Sequence, residues 1–436
     1  MKAKEIFLLI FIILIGVFIT HVYNGKFDFD FGWGDSFLFG YEEFVFEEIQ
    51  EIESPLPEKL RINNSHGSVE IFGSDEDIIT ISFKERIWRK EEVDAQEIAD
   101  QLKMNIDNNG QTLNISTNRQ EFRRKNFETD FIIFVPEGLN VTVVNSYGLV
   151  RTEKVGHTDI TNRYGEVDAE DIRGELIVFN SHDDIEIKNV ESNCKIDASY
   201  SSITMSDILG TTEIKNSHGR LAIEDMGNDV VIRSPYSKIY GWDLSGALDI
   251  ENSYEKIELT NVGSVKIVAN QSLIDIDGSN GNIDIFDRYD KVLLKDINGN
   301  VVIDGKNLGI IGKNIHGENI ILSSTYEDIE LDNFSGNTSI SLSHGDIHLS
   351  PSPLTFPIEV NGSHMDIKFF WPENERYPLE AKAEQGDIQW KLDAEIDYQK
   401  DNGLSIIKAF LEETDKPTVL LSTTYGTIWI EETIII

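Results

Sequence analysis

The sequence predicts an all-β protein: a single-stranded parallel β-helix, or β-solenoid, with coils of about eighteen residues. Three observations predict it. A phrase Asn-Ser-Tyr/His-Gly-x-Ile/Val recurs at Asn145, Asn162, Asn180, Asn216 and Asn252, with an early copy at Asn64. Counting from the Tyr or His of each phrase, the third residue on is aliphatic every time, from Val150, Val167 and Ile185 to Ile310, Ile329 and Ile347. A second series of turn residues, Gly156, Gly174, Gly210, Gly227, Gly246, Gly263, Gly281, Gly299, Gly317 and Gly336, fills the other half of each unit, with Ser192 replacing glycine once.

At the N-terminus, Lys2 and Lys4 precede an apolar run over residues 6–22, long enough at about 1.5 Å per residue to nearly cross a hydrocarbon core. This is a transmembrane signal anchor or an export signal. The exit through Thr20-His-Val-Tyr-Asn-Gly25 lacks the small-residue cleavage pattern and favours an uncleaved anchor over residues 1–24. The lysines then stay in the cytoplasm and the bulk of the chain lies outside. Residues 25–59 are crowded with Phe27, Phe29, Phe31, Trp33, Phe37, Phe39, Tyr41, Phe44 and Phe46. They fit either an aromatic belt on the bilayer or edge strands packed on the solenoid end.

Residues 60–140 hold the first phrase and then break the period. Strand alternation over 77–88, helical spacing through Val93, Ile98 and Leu102 within 91–104, and further strands at 112–116 and 129–135 predict a small α+β cap with one helix. Such a cap covers the open edge of the array. Residues 141–350 are the regular solenoid, each unit expected to contain two strands and two turns. Strands this short bury a face only by stacking on the neighbouring unit at about 4.8 Å. The recurring Asn is expected to bond its amide to the same Asn one coil along, and the Tyr/His to form a corner column. Cys194 falls on an inward position. In 351–436, Pro351, Pro353 and Pro357 loosen the period, weaker copies continue at His364, Gln385-Gly386 and Tyr425-Gly426, and Leu404, Ile407, Phe410 and Leu411 predict a short inserted helix.

Glycine-punctuated strands together with Asn64-Ser-His-Gly67, Val135-Pro-Glu-Gly138 and Asn145-Ser-Tyr-Gly148 resemble the bacterial putative adhesin family of β-strand-repeat domains of unknown function, related to autotransporter adhesin head domains. The resemblance covers roughly residues 60–430. It implies a right-handed β-helix in an extracytoplasmic place, and it brings no catalytic residues.

Acidic residues number 77 against 38 basic, a formal charge of -39, so nucleic acid is not an expected partner: backbone binding needs clustered Lys and Arg. No phosphate loop, nucleophile elbow or His-Glu-x-x-His motif occurs, and no catalytic, cofactor or metal residue is assigned. One cluster, His344, Asp346 and His348 with His364 and Asp366 on the following coil, lies at a spacing that could share an ion or simply end the Tyr/His column in solvent. The run Arg123-Arg-Lys125 between Phe122 and Phe127 reads as a hairpin tip. The expected function is a non-enzymatic membrane-anchored surface scaffold that meets a protein, glycan or cell-wall polymer. The alternatives are an envelope-stress sensor and a polysaccharide-acting enzyme, the last requiring a cleft with paired carboxylates.

Overall fold

The computed structural model describes residues 41–122, 126–372 and 376–432. The anchor at 1–24, the first part of the aromatic segment and Arg123-Arg-Lys125 lie outside the described residues. Within them no helix is long and apolar enough to cross a membrane.

The chain is a parallel β-solenoid of about 13 turns. Register follows the repeat. Val167 pairs with Ile185, Ile185 with Ile203, Ile203 with Leu221 and Leu221 with Ile239, each one coil along. The second strand of each unit stacks likewise, Leu176 on Cys194 and Cys194 on Thr212. Every aliphatic residue three past a Tyr/His position is buried, as is Cys194. The core is therefore a set of aliphatic columns along the axis, each fully buried Ile or Leu contributing about 1.5–3 kcal/mol of transfer free energy.

Each coil has a third corner that the two-strand, two-turn expectation lacked. Asp171, Asn189, Asp207, Asp225, Asp243 and Asn261 all take positive φ, 52° to 58°, seven residues after the Tyr/His position. Asn and Asp tolerate this left-handed conformation best among residues with a side chain, because their short polar groups bond locally. The register skips them: Glu170 pairs with Lys188 and Ile172 with Val190, leaving Asp171 and Asn189 at the bend. Asn189 Nδ2 donates to Asp171 Oδ1 at 2.6 Å and Asn333 Nδ2 to Asn314 Oδ1 at 2.7 Å, so the amide ladder expected at the phrase occurs at this corner instead.

Both ends are closed by interlocked threading. The first coil, with strands Lys59–Asn63 and Val69–Ser74, is sandwiched: Leu60 pairs with Val141 on one side and Leu113 on the other, and Val69 with Val150 and Phe131. The chain thus leaves this coil outward, forms strand Ile79–Arg89 and the helix Glu92–Ala99, returns as an outer coil through Thr112–Thr117 and Phe127–Pro136, and jumps back to continue the array. Arg86 locks the device through Asp130 Oδ2 and Glu128 Oε2, both at 2.6 Å, while Asp130 Oδ1 accepts the Ser68 N–H at 2.7 Å. The outermost strand, Glu42–Ile52, pairs antiparallel with Ile79–Arg89 and half-buries Phe44 and Phe46, as edge strands packed on the solenoid end would. Its five glutamates blunt the exposed edge.

The C-terminal end repeats the arrangement. The last coil, Val419–Thr423 with Thr427–Glu432, lies inside: Ile428 pairs with Ile367 and with Ile388. The coil Leu379–Glu384 with Asp387–Trp390, earlier in sequence, is further out and is covered by the antiparallel hairpin Asp397–Asp401 and Leu404–Ala409. The helix expected from Leu404, Ile407, Phe410 and Leu411 is therefore a strand. Its inward residues are Ser405, Ile407 and Ala409, two of them too small or polar to register as an apolar alternation.

Candidate binding ridge at the aromatic corner

The corner carrying the Tyr/His column begins with a packing constraint. At Gly148 and Gly165 a Cβ would lie 2.4 and 2.2 Å from the carbonyl oxygen of the coil before, and φ is +114° and +144°. Glycine lets successive turns approach at the sheet spacing. The approach brings that carbonyl to the buried Asn of the next coil. Asn145 Nδ2 donates to Gly67 O at 3.1 Å, Asn162 to Gly148 O at 2.9 Å, Asn180 to Gly165 O at 3.3 Å, Asn216 to Ser201 O at 2.8 Å and Asn252 to Ser237 O at 3.0 Å. The Asn–Asn ladder expected here is corrected accordingly: the nearest acceptor is a turn carbonyl with no strand partner, and the amide satisfies it.

This scaffold aims the rings outward. His66, Tyr147, Tyr164, His182, Tyr200, His218, Tyr236 and Tyr254 form a continuous stack with centroids 4.6 to 5.6 Å apart. Burial, with Arg119 adding to it, lowers the His66 imidazole to about 4, so the first ring is neutral at neutral pH. A second stack joins Tyr326, His344, His364 and Tyr425 at 4.7 to 4.8 Å. Between the two, Gln271 and Asn307 replace aromatic residues, and no described ring stacks on Tyr289. In the stacked stretches neighbouring rings cover one another; at the break the stacking of ring on ring is interrupted.

One position in the break changes the chemistry. Asp287 stands where other coils have Asn252 or Asn216 and is fully buried. One carboxyl oxygen accepts the Arg288 N–H at 2.7 Å, while Oδ2 has no partner. Burial pushes this acid up to about 7, against the backbone N–H groups that favour the anion.

The His344 cluster has the register its spacing predicts: His344 pairs with His364 and Asp346 with Asp366, but His348 faces Lys368. Of the cluster's carboxylates, that of Asp366 is engaged by backbone, and Asp346 is tied to the preceding coil through its own N–H. Asp346 N–H donates to Asp328 Oδ1 at 2.8 Å and Thr427 N–H to Asp366 Oδ1 at 2.6 Å, while the two imidazoles stack on each other. Among the described residues no three His, Cys, Asp or Glu side chains are placed to hold a metal. An open cleft beside the cap helix is lined by Asp100, Lys103, Asn118, Glu121 and Phe122 among others. Its two carboxylates accept from Gln96 at 2.8 Å and from Asn118 at 3.2 Å.

Sequence reasoning missed the corner's charge. Over the turns at His218, Tyr236, Tyr254, Gln271, Tyr289 and Asn307, the ridge carries Arg220, Lys238, Lys256, Arg288, Lys291 and Lys306 against Glu255 and Asp290. Toward the C-terminus the same ridge carries only Glu327, Asp328, Asp346 and Asp366. The signal was present as a basic residue beside successive phrase copies, but the overall charge conceals it.

These features define a β-solenoid repeat protein whose exposed lines of side chains run along the coils. Within it, residues 227–431 match the family described as Toastrack DUF4097, in keeping with the adhesin-like β-repeat resemblance. No curated protein sequence matches the chain. Among solved structures, a putative cell adhesion protein from Clostridium sporogenes aligns over 89% of this chain and 100% of its own, with 10% identity and a TM-score of 0.19.

Proposed function

We propose that the chain is a non-enzymatic, membrane-anchored extracytoplasmic scaffold that engages a surface partner along its wall. The observation that carries this reading is the exposed corner, aromatic from His66 to Tyr254 and again from Tyr326 to Tyr425, over a core that stays aliphatic. A line of stacked turns supplies an extended contact surface. It does not converge several side chains on one reacting atom, which acid–base or nucleophilic chemistry requires. The apolar run 6–22 after Lys2 and Lys4 supports the anchor, with the solenoid on the outer side.

Labelling of intact cells that produce the full chain tests this. A membrane-impermeant amine reagent is expected to modify solenoid lysines such as Lys238 and Lys306 without lysis, and the chain is expected in the membrane fraction. Modification only after lysis, or recovery in the soluble fraction, overturns the placement.

A further inference from the structure

The break in the aromatic column is the place where the molecule departs from its own construction rules, in three independent ways. The first is charge pairing. Elsewhere even cations in register with each other are neutralised: Lys215 faces Arg233, and they pair with Glu213 and Glu251, both at 3.0 Å, as Lys195 pairs with Glu213 at 3.0 Å and Lys295 with Asp277 at 2.8 Å. On the ridge cations face cations without such partners. Arg220 stands in register with Lys238, and Arg288 with Lys306, an arrangement that costs stability. Among the described residues Arg220, Lys238, Arg288, Lys291 and Lys306 make no ion pair, whereas Lys256 is held by Glu258 at 2.8 Å and Asp275 at 3.6 Å.

The second departure is backbone. At Tyr254, Gln271, Tyr289 and Asn307 the corner residue itself takes positive φ, 53° to 73°, a conformation unfavourable for a side chain as large as tyrosine. The third is the loss of ring stacking: Tyr289 has Gln271 and Asn307, not rings, on its two sides in the column, and Tyr254, stacked on Tyr236 at 5.6 Å, has Gln271 on its other side.

Arg220 lies over the Tyr240 ring at 4.7 Å and Arg288 over the Phe286 ring at 5.5 Å, so Lys238, Lys291 and Lys306 are the ridge cations with neither an ion pair nor a ring beside them among the described residues. With an unstacked tyrosine and side-chain amides along one line, they complement a sugar polymer that carries negative charge. The C–H face of a sugar ring packs on tyrosine, its hydroxyls bond Gln271, Asn270 and Asn307, and an anionic substituent meets Lys or Arg. We propose that this segment of the ridge binds an anionic polysaccharide, lying along the solenoid axis over the coils from His218 to Asn307. The line is about 24 Å long at the coil spacing, room for several sugar residues. On the ridge the cations outnumber Glu255 and Asp290, and screening over about 8–10 Å weakens the carboxylates farther away on an acidic molecule. The inference rests on the scaffold reading for its setting, but not on the membrane anchor.

The test uses the full chain in non-ionic detergent and four probes: polygalacturonate, dextran sulfate, neutral dextran and polyphosphate. The native chain is expected to bind at least one of the two anionic polysaccharides, to ignore neutral dextran and to hold polyphosphate more weakly, with affinity falling steeply between about 50 and 200 mM salt. Joint substitution of Lys238→Ala, Arg288→Ala, Lys291→Ala and Lys306→Ala lowers that affinity at least about tenfold and flattens the salt slope. Tyr289→Ala lowers it about threefold or more with the slope unchanged. Lys103→Ala with Lys188→Ala, two cations away from the ridge, leaves binding as it was. All variants are exposed-side-chain changes whose folding is checked by thermal melting.

Absence of binding to both anionic polysaccharides at low salt overturns the proposal, as does a quadruple variant within twofold of the native chain. Polyphosphate binding equal to that of the sugars and indifferent to Tyr289→Ala overturns the sugar assignment. None of these results touches surface labelling of cells, so loss of this site and loss of the scaffold reading are separate outcomes.

Discussion

Asp287 shows how much one atom matters in a repeat. An asparagine at this position donates Nδ2 to the preceding turn; an aspartate can do so only when protonated, and its folded value of about 7 lies well above that of an unfolded aspartate. The sign follows from the raised value. The protonated form contributes stability that is fully present below about pH 4 and is lost as pH rises through about 7. Asp287→Asn is therefore expected to raise stability at pH 8, by up to about 4 kcal/mol, and to flatten the decline between pH 4 and 8 in denaturant titrations. An unchanged pH profile would sink this account. Cys194 offers a second check at the same scale. It is buried, and burial pushes its thiol up to about 12, so a thiol reagent should leave the native chain unmodified and react fully in denaturant.

Among the elements, the corner turn couples a glycine, an amide and a ring, and each depends on the others. Asn162→Ala removes donations to Gly148 O at 2.9 Å and Gly165 O at 3.0 Å, leaving these part-buried carbonyls only the longer contacts from Asn145 at 3.4 Å and Asn180 at 3.3 Å. A loss of about 1–3 kcal/mol in chemical denaturation is expected. The regular coils were readable in the sequence because one side chain in two faces a continuous core, so Ile185, Ile203, Ile239 and their counterparts could not vary. What escaped reading had other causes. The positive-φ corner leaves no apolar mark, although Asp171, Asn189 and Asp207 do keep the period. The strand Leu404–Ala409 was disguised because Ser405 and Ala409 occupy its inward positions. The basic ridge was hidden because outward residues are free of the core and read only as composition until coils are laid in register.

For the whole molecule, the order of coils in space differs from their order in sequence at both ends, a feature no local pattern reveals. The strands Val419–Thr423 and Thr427–Glu432 are paired on both sides, so they are interior to the sheet despite coming last among the described residues. Truncation before Thr418 is expected to leave the coil Leu379–Glu384 and its hairpin without support. It should lower the melting temperature by more than 10 °C, on the order of a loss of several kcal/mol, or drive aggregation through newly open edges, visible by size-exclusion chromatography. A truncated chain that melts like the native one would show that this pairing contributes little.

The interlocked ends also govern how such a protein can change its length. A unit added at either terminus would have to be threaded through a closed device, whereas a unit duplicated between two interior glycines meets matching register on both sides. Growth by internal duplication would carry the Tyr/His corner with it and shift everything beyond by about 4.8 Å per copy. Reach is thus an adjustable quantity in this molecule, set by the number of interior coils, while the two closures stay fixed.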